Sequence, residues 1–286
     1  MAEKKKPIIV NVEGEDITAQ HEKEKAEGAS HPQKPPVLDA APVGNAKGLR
    51  IGAVILWVLA IIFEVLTVLV VTGKVTLPVM TQMTQMIIFL ILDLACVIAG
   101  AQLWKKANHI DPVSEANPTK FWIWNNMGLI VCAVAFIPFI IILLTNKNAD
   151  KKTKIVGVVV AVIALLIGGL MSYDFNPVSA EDKEEAMAVF GEEDVYWTRF
   201  GKCYHTHDDC QSFSQSEQLT KGTVEQAIAA NRTKFCSFCA KRDDITTVKT
   251  DDAALNEENA EDIEEAEEQL EDTAGGIEEA GDEADE

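Results

Sequence analysis

Tyr204-His205, then Cys210 after four further residues, and later Cys236-Ser237-Phe238-Cys239, are the residues of this chain best suited to chemistry. They offer one imidazole and three thiols. The two-residue gap lets the last two sulfurs grip one ion, and the whole set suits a closed tetrahedral zinc site. The chemistry expected is structural. A catalytic zinc keeps one position open for water, whereas four good protein ligands close the sphere. No Ser/His/Asp set, phosphate loop or carboxylate–histidine cluster stands elsewhere, so the chain is not expected to be an enzyme. Residues 195–245 make too small a stretch to hold together on an apolar core alone, and a metal would supply the missing folding free energy.

The residues themselves leave alternatives open. Cys203, His205 and His207 lie two apart, on one face of an extended strand. Cys203 with the other three cysteines gives an all-thiolate site, and His207 could replace His205. Asp208 and Asp209 read as solvated loop residues, because a borderline-soft metal prefers the available thiols. A redox Cys-x-x-Cys needs a strand-to-helix context, but Cys236 follows a predicted helix. A disulfide framework needs an oxidising compartment. Residues 195–200 read as a strand, Gly201-Lys202 as a turn and Cys203-Tyr204-His205 as the returning strand of a hairpin. Thr223-Val224-Glu225-Gln226 is a capping box opening a helix to about Asn231. Tyr196, Trp197, Phe213 and Phe238 form either a minimal core or a contact surface. From 195 to 245 seven basic residues face six acidic ones. That balance is a poor footprint for phosphate, so nucleic acid is not an expected partner. The partners expected are a lipid bilayer and a protein that the sequence does not identify.

Across these residues the chain resembles the small zinc domains related to the metal-binding domain of the bacterial Ada DNA-repair protein. Similar units are appended to secreted nucleases and to competence-type membrane proteins. The shared pattern is Val195-Tyr196, the Gly201-Lys202 turn, Tyr204-His205, Cys210, the Thr223–Ala227 helix start and the Cys236-x-x-Cys239 close. It covers about 50 residues and none of the remainder. The resemblance implies His205, Cys210, Cys236 and Cys239 as zinc ligands, with Cys203 beside the site as a non-ligand. No nuclease or methyltransferase activity comes with it, since this sequence carries neither domain; what the resemblance leaves as an alternative is a membrane-tethered nucleic-acid-binding accessory protein.

The elements that must carry this module are mostly apolar. Four runs, at about 51–71, 83–104, 121–145 and 155–171, are long enough to cross a bilayer. The fold expected is therefore an α-helical multi-pass membrane bundle over 49–173, a linker with a short helix over 174–194, the α+β zinc module over 195–245, and disordered tails at 1–48 and 250–286. Of the net charge of -20, a charge of -18 resides in 250–286, which holds 18 Asp or Glu and no Lys or Arg. The acidity thus belongs to a tail and not to the body. The opening tail, rich in Lys, Glu and Pro, lacks the apolar stretch of a signal peptide. Gly157, Ala161, Ala164 and Gly168 draw a stripe of small residues along the fourth run, suited to close helix approach. Pro138 should bend or loosen the third. Glu64 and Asp93 lie at membrane depth without a cationic partner in any run, and Asn125, Asn126, Thr67 or Gln102 could hydrogen-bond them. They suggest either inter-helix contacts or an ion path in a small transporter. Flanking Lys and Arg are equal on the two sides, so the positive-inside rule does not orient the bundle. The opening tail and the thiol ligands place both termini in the cytoplasm of a cell-membrane protein.

Overall fold

The computed structural model describes residues 6–27, 44–146 and 150–251, apart from 76, 77, 79 and 192. The acidic segment from 252 onward lies outside the described residues. In chain order the elements are β1 (Ile8–Val10), α1 (Thr18–Glu27), α2 (Ala46–Val71), α3 (Gln82–Ile110), α4 (Pro118–Asn125), α5 (Met127–Thr145), α6 (Lys151–Ser172), α7 (Ala180–Phe190), β2 (Asp194–Trp197), β3 (Cys203–Tyr204), β4 (Gln218–Thr223), α8 (Val224–Ala229), β5 (Lys234–Phe235) and α9 (Ser237–Asp243). Two compact units result. One consists chiefly of residues 41–183, and the other joins the N-terminal segment to most of the chain beyond 184.

In the first unit α2, α3, α5 and α6 are long and apolar enough to cross a membrane. The shortest, α5, has 19 residues; at 1.5 Å per residue it spans about 28 Å, close to a hydrocarbon core of about 30 Å. Three of the four starts are capped by a side-chain oxygen, from Asn45, Thr81 and Asp150, each accepting a backbone N–H three residues on. The interior is Met86, Leu90, Phe136, Phe139 and Leu143 against Ala60, Ala135, Ala161 and Ala164. The outside is equally apolar, with Ile55, Leu166 and Leu170 each more than 60 % exposed. Such a surface suits lipid and not water. The buried residues of α6 are Thr153, Gly157, Ala161, Ala164, Gly168 and Ser172, so the small-residue stripe is the packed face of that helix.

The third apolar run differs from expectation. It is divided at Asn126 (φ -104°, ψ 21°) into α4 and α5. Asn125 and Asn126 turn their amides back onto the carbonyls of Phe121 and Trp122, an alternative that Asn offers to continued helix. The Trp124 carbonyl freed by the break accepts from Trp104 Nε1 at 2.8 Å and Asn108 Nδ2 at 3.1 Å. Beyond the break, α5 runs through Pro138 as a single helix.

In the second unit β2 and β4 pair antiparallel, and β1 joins the other edge of β4 in parallel, Ile8 opposite Gln218 and Val10 opposite Thr220. This corrects the reading of 1–48 as wholly disordered: residues 6–27 are a strand and a helix. Ile9 and Val10 are each 5 % exposed. Burial of those two side chains, together with the strand pairing, offsets the ordering entropy that the segment's composition alone cannot meet. The hairpin expected at 195–205 is reduced to one bridge, in which Tyr196 and His205 exchange both backbone hydrogen bonds, at 2.7 and 2.8 Å. β3 instead pairs in parallel with β5. α7 opens on a capping box, with Ser179 and Asp182 bonded reciprocally, and ends at Gly191 in the left-handed region (φ +56°). It does more than space the chain: Phe190, 2 % exposed, packs on Tyr204 and Phe235 at ring-centroid separations of 5.5 and 4.8 Å.

Candidate metal centre

Two short arms carry the four candidate ligands. The first runs from β3 through His205 and the 206–209 loop to Cys210. His205 is fixed by its backbone exchange with Tyr196 and by its ring against Phe213, 4.1 Å between centroids. The second arm is the turn from β5 into α9, so Cys236 stands at a strand-to-helix junction and does not follow a helix as the sequence led us to expect. Cys236 caps that helix, with its N–H donating to the Tyr204 carbonyl at 3.1 Å, and Cys239 sits one turn on. Ligand atoms of His205, Cys210, Cys236 and Cys239 all lie within 4.8 Å of one another, and all four residues are buried.

The spacing fits a tetrahedral ion. Zn–S bonds of about 2.3 Å set tetrahedron edges of roughly 3.8 Å. Cys210 Sγ and Cys236 Sγ are 3.9 Å apart, and Cys239 Sγ is 3.8 Å from His205 Nδ1. A disulfide holds its sulfurs at about 2.05 Å, so these thiols are not bonded to each other. Electrostatics point the same way. A hydrogen bond from Cys239, opposed by burial and aided by His205, pulls the Cys236 thiol well down. The same bond and burial push Cys239 up. The Cys236 and Cys239 thiols therefore do not both ionise at neutral pH without a cation beside them.

The rival donors are engaged elsewhere. Cys203 lies outside the cluster; burial, then the nearby Asp251 carboxylate, pushes its thiol far up. His207 bonds Asp243 through Nε2 at 2.6 Å, and Thr206 donates to the other oxygen of the same carboxylate. Asp209 pairs with Arg242 at 2.8 Å. Asp208, read from sequence as a solvated loop residue, is instead held by His21 Nε2 at 3.1 Å and Lys25 Nζ at 2.7 Å, both on α1. Burial raises the Asp208 carboxyl, but the Lys25 and His21 bonds outweigh it and hold it below the usual range.

Of the four aromatic residues read as core or surface, Tyr196, Trp197 and Phe213 are core, and Phe238 is half-exposed. The most exposed aromatic escaped the sequence reading. Phe200 is 89 % exposed at the turn after β2, with the Arg199 guanidinium 5.5 Å from its ring centre. The turn is built, since Arg232 donates to the Thr198 carbonyl at 2.8 Å and to that of Arg199.

In the helical unit Asp93 is fully buried, and neither carboxylate oxygen has a hydrogen-bond partner among the described residues. The partners suggested by sequence turn elsewhere: Thr67 to the Phe63 carbonyl, Gln102 to that of Met171, and Asn125 and Asn126 into α4.

No known family, curated protein or solved structure matches the chain.

Proposed function

We propose that this chain is a multi-pass membrane protein that displays a small module held by structural zinc for binding a partner protein, with both termini in the cytoplasm. The buried His205, Cys210, Cys236 and Cys239 cluster carries the reading. Zinc, when bound there, would cross-link the 205–210 arm to the 236–239 turn. Its role would be architectural and not catalytic, as the closed donor set implies. The Ada-like resemblance agrees with this donor set and brings no activity with it. Parallel pairing of β1 with β4 supports a shared side for both ends of the helical run, because an even number of crossings returns the chain to where it began. Thiolate ligands favour the reducing side. Phe200 and Phe238, the exposed aromatic residues of the module, are the side chains best suited to anchor a protein contact.

The reduced, purified chain is expected to hold one zinc ion per chain by elemental analysis. Cys236→Ser and His205→Ala should lose it, and Cys203→Ser should keep it. Release of the metal by Cys203→Ser, with His205→Ala still loaded, would refute the ligand assignment.

A second reading rests on Asp93. A buried carboxyl without a hydrogen-bond partner is costly in a membrane and is the kind of group retained for ion movement. If α2 and α3 form an ion path, flux through proteoliposomes should vanish in Asp93→Asn and fall in Glu64→Gln. Equal flux in wild type and both variants removes that reading.

A further inference from the structure

We propose that the N-terminal segment, residues 6–27, is a built-in lock on the metal centre, with His21 and Lys25 as positioning residues that act through Asp208. The proposal rests on the metal reading above and goes beyond it by naming what controls retention of the ion.

The two ligand arms are unequally supported. The 236–239 arm is regular: β5 leads straight into α9, and Asp251 accepts from the Ser237 N–H at 2.8 Å. The arm joining His205 to Cys210 is a loop, and the Cys210 N–H reaches only a long bond to the His207 carbonyl, at 3.4 Å. Its central carboxylate, Asp208, is the group that α1 grips. His21 and Lys25 stand four apart and so share one face of α1. Both reach Asp208, Lys25 contacting its two oxygens at 2.7 and 2.9 Å. The same His21 ring meets Tyr196 edge-on at 5.6 Å, and Tyr196 is the residue whose backbone holds His205. One face of α1 therefore braces the middle of the loop arm, beside the bonds that Thr206, His207 and Asp209 make to α9, and through Tyr196 its His205 end.

The segment is itself fastened independently of that contact. β1 lies in register along β4, the Thr18 hydroxyl accepts from the Ile9 N–H at 2.9 Å, and Glu24 pairs with Lys221 on β4 at 3.3 Å. Residues that orient metal ligands from outside the coordination sphere commonly change metal affinity by about 10–100-fold. Coupling is reciprocal, so metal that is held more tightly by a docked segment must in turn hold that segment more tightly. Anything that pulls residues 6–27 from the β4 edge would then loosen the ion, and the N-terminus would report on, or control, the loaded state of the module.

The test uses the full chain in detergent, loaded with zinc, with transfer of the ion to a chromogenic chelator as the readout. Ile9→Asp, which undocks the strand, and Asp208→Asn, which leaves the strand intact, should each speed release by roughly tenfold or more. Lys25→Arg should restore the wild-type rate where Lys25→Ala does not. Lys6→Ala, which removes only the exposed Lys6–Glu22 pair, should change nothing. Hydrogen exchange at residues 8–10 should slow when zinc binds. The proposal is overturned if exchange shows Ile9→Asp undocked while zinc leaves at the wild-type rate. If the chain holds no zinc at all, the metal reading fails, and the lock is then judged by alkylation of Cys210 in the reduced chain. Faster alkylation in Ile9→Asp and Asp208→Asn upholds the brace on the loop, and unchanged alkylation overturns it.

Discussion

Stripping zinc from the reduced chain is expected to unfold residues 193–251 while leaving the apolar helices folded. The module's interior is small. Phe190, Tyr204 and Phe235 form one aromatic contact, and Ile9, Val10, Val195, Trp197, Phe213, Leu219, Val224, Ala227 and Ile228 are buried with them. A unit of this size gains only about 3–5 kcal/mol from its core. Apparent binding free energies of structural zinc are on the order of 10–16 kcal/mol at neutral pH. A metal term of that size would exceed everything else that holds the two arms together, and its loss should be decisive. Hydrogen exchange resolved by residue is the suitable measurement, because total helix content is dominated by α2, α3, α5 and α6. Protection across 194–197 and 218–223 should collapse on chelation and return with added zinc. Persistence of full protection in the metal-free chain would show that the fold does not depend on the ion.

How much of this could be read from residues alone depends on how local each signal is. The candidate cluster was legible because Cys-x-x-Cys is a local turn and Tyr-His-x4-Cys a local loop, and the structure gathers those same four side chains. The membrane helices were legible because about 20 apolar residues in a row permit little else. What escaped reading is held by distant partners. Ile8–Val10 is a strand only because Gln218–Thr223 lies alongside it, roughly two hundred residues later in the chain. β4 itself contains Thr, Lys and Gly with a single Leu, which reads as a loop. Asp208 looked solvated because its partners, His21 and Lys25, lie in a segment whose composition suggested no structure. The division at Asn126 followed from two adjacent amides, a signal present in the sequence but outweighed there by the apolar residues on both sides.

The second large effect expected is in the bundle, at Gly128. Lipid offers helices no hydrophobic drive to associate, so tight backbone approach through small residues must supply the contact. A methyl group on Gly128 would stand 2.5 Å from the Ala101 Cβ, 3.2 Å from the Ala101 Cα and 3.3 Å from the Ser172 Cβ. Three helices, α3, α5 and α6, meet there, and one of the obstacles is backbone, which cannot rotate away. At Gly157 the obstacles are the Leu143 Cδ2 at 2.5 Å and the tip of Met86 at about 3 Å, which are ends of flexible side chains. At Gly169 only the Leu129 Cδ1 comes near, at 3.5 Å, an ordinary contact. A graded outcome follows for bundle unfolding in detergent. Gly128→Val should cost at least the 1–3 kcal/mol typical of overpacking, Gly157→Ala should cost less, and Gly169→Ala should be neutral or gain a few tenths from helix propensity. Equal stability of the Gly128 and Gly169 variants would mean that α3, α5 and α6 do not approach as closely as their small residues permit.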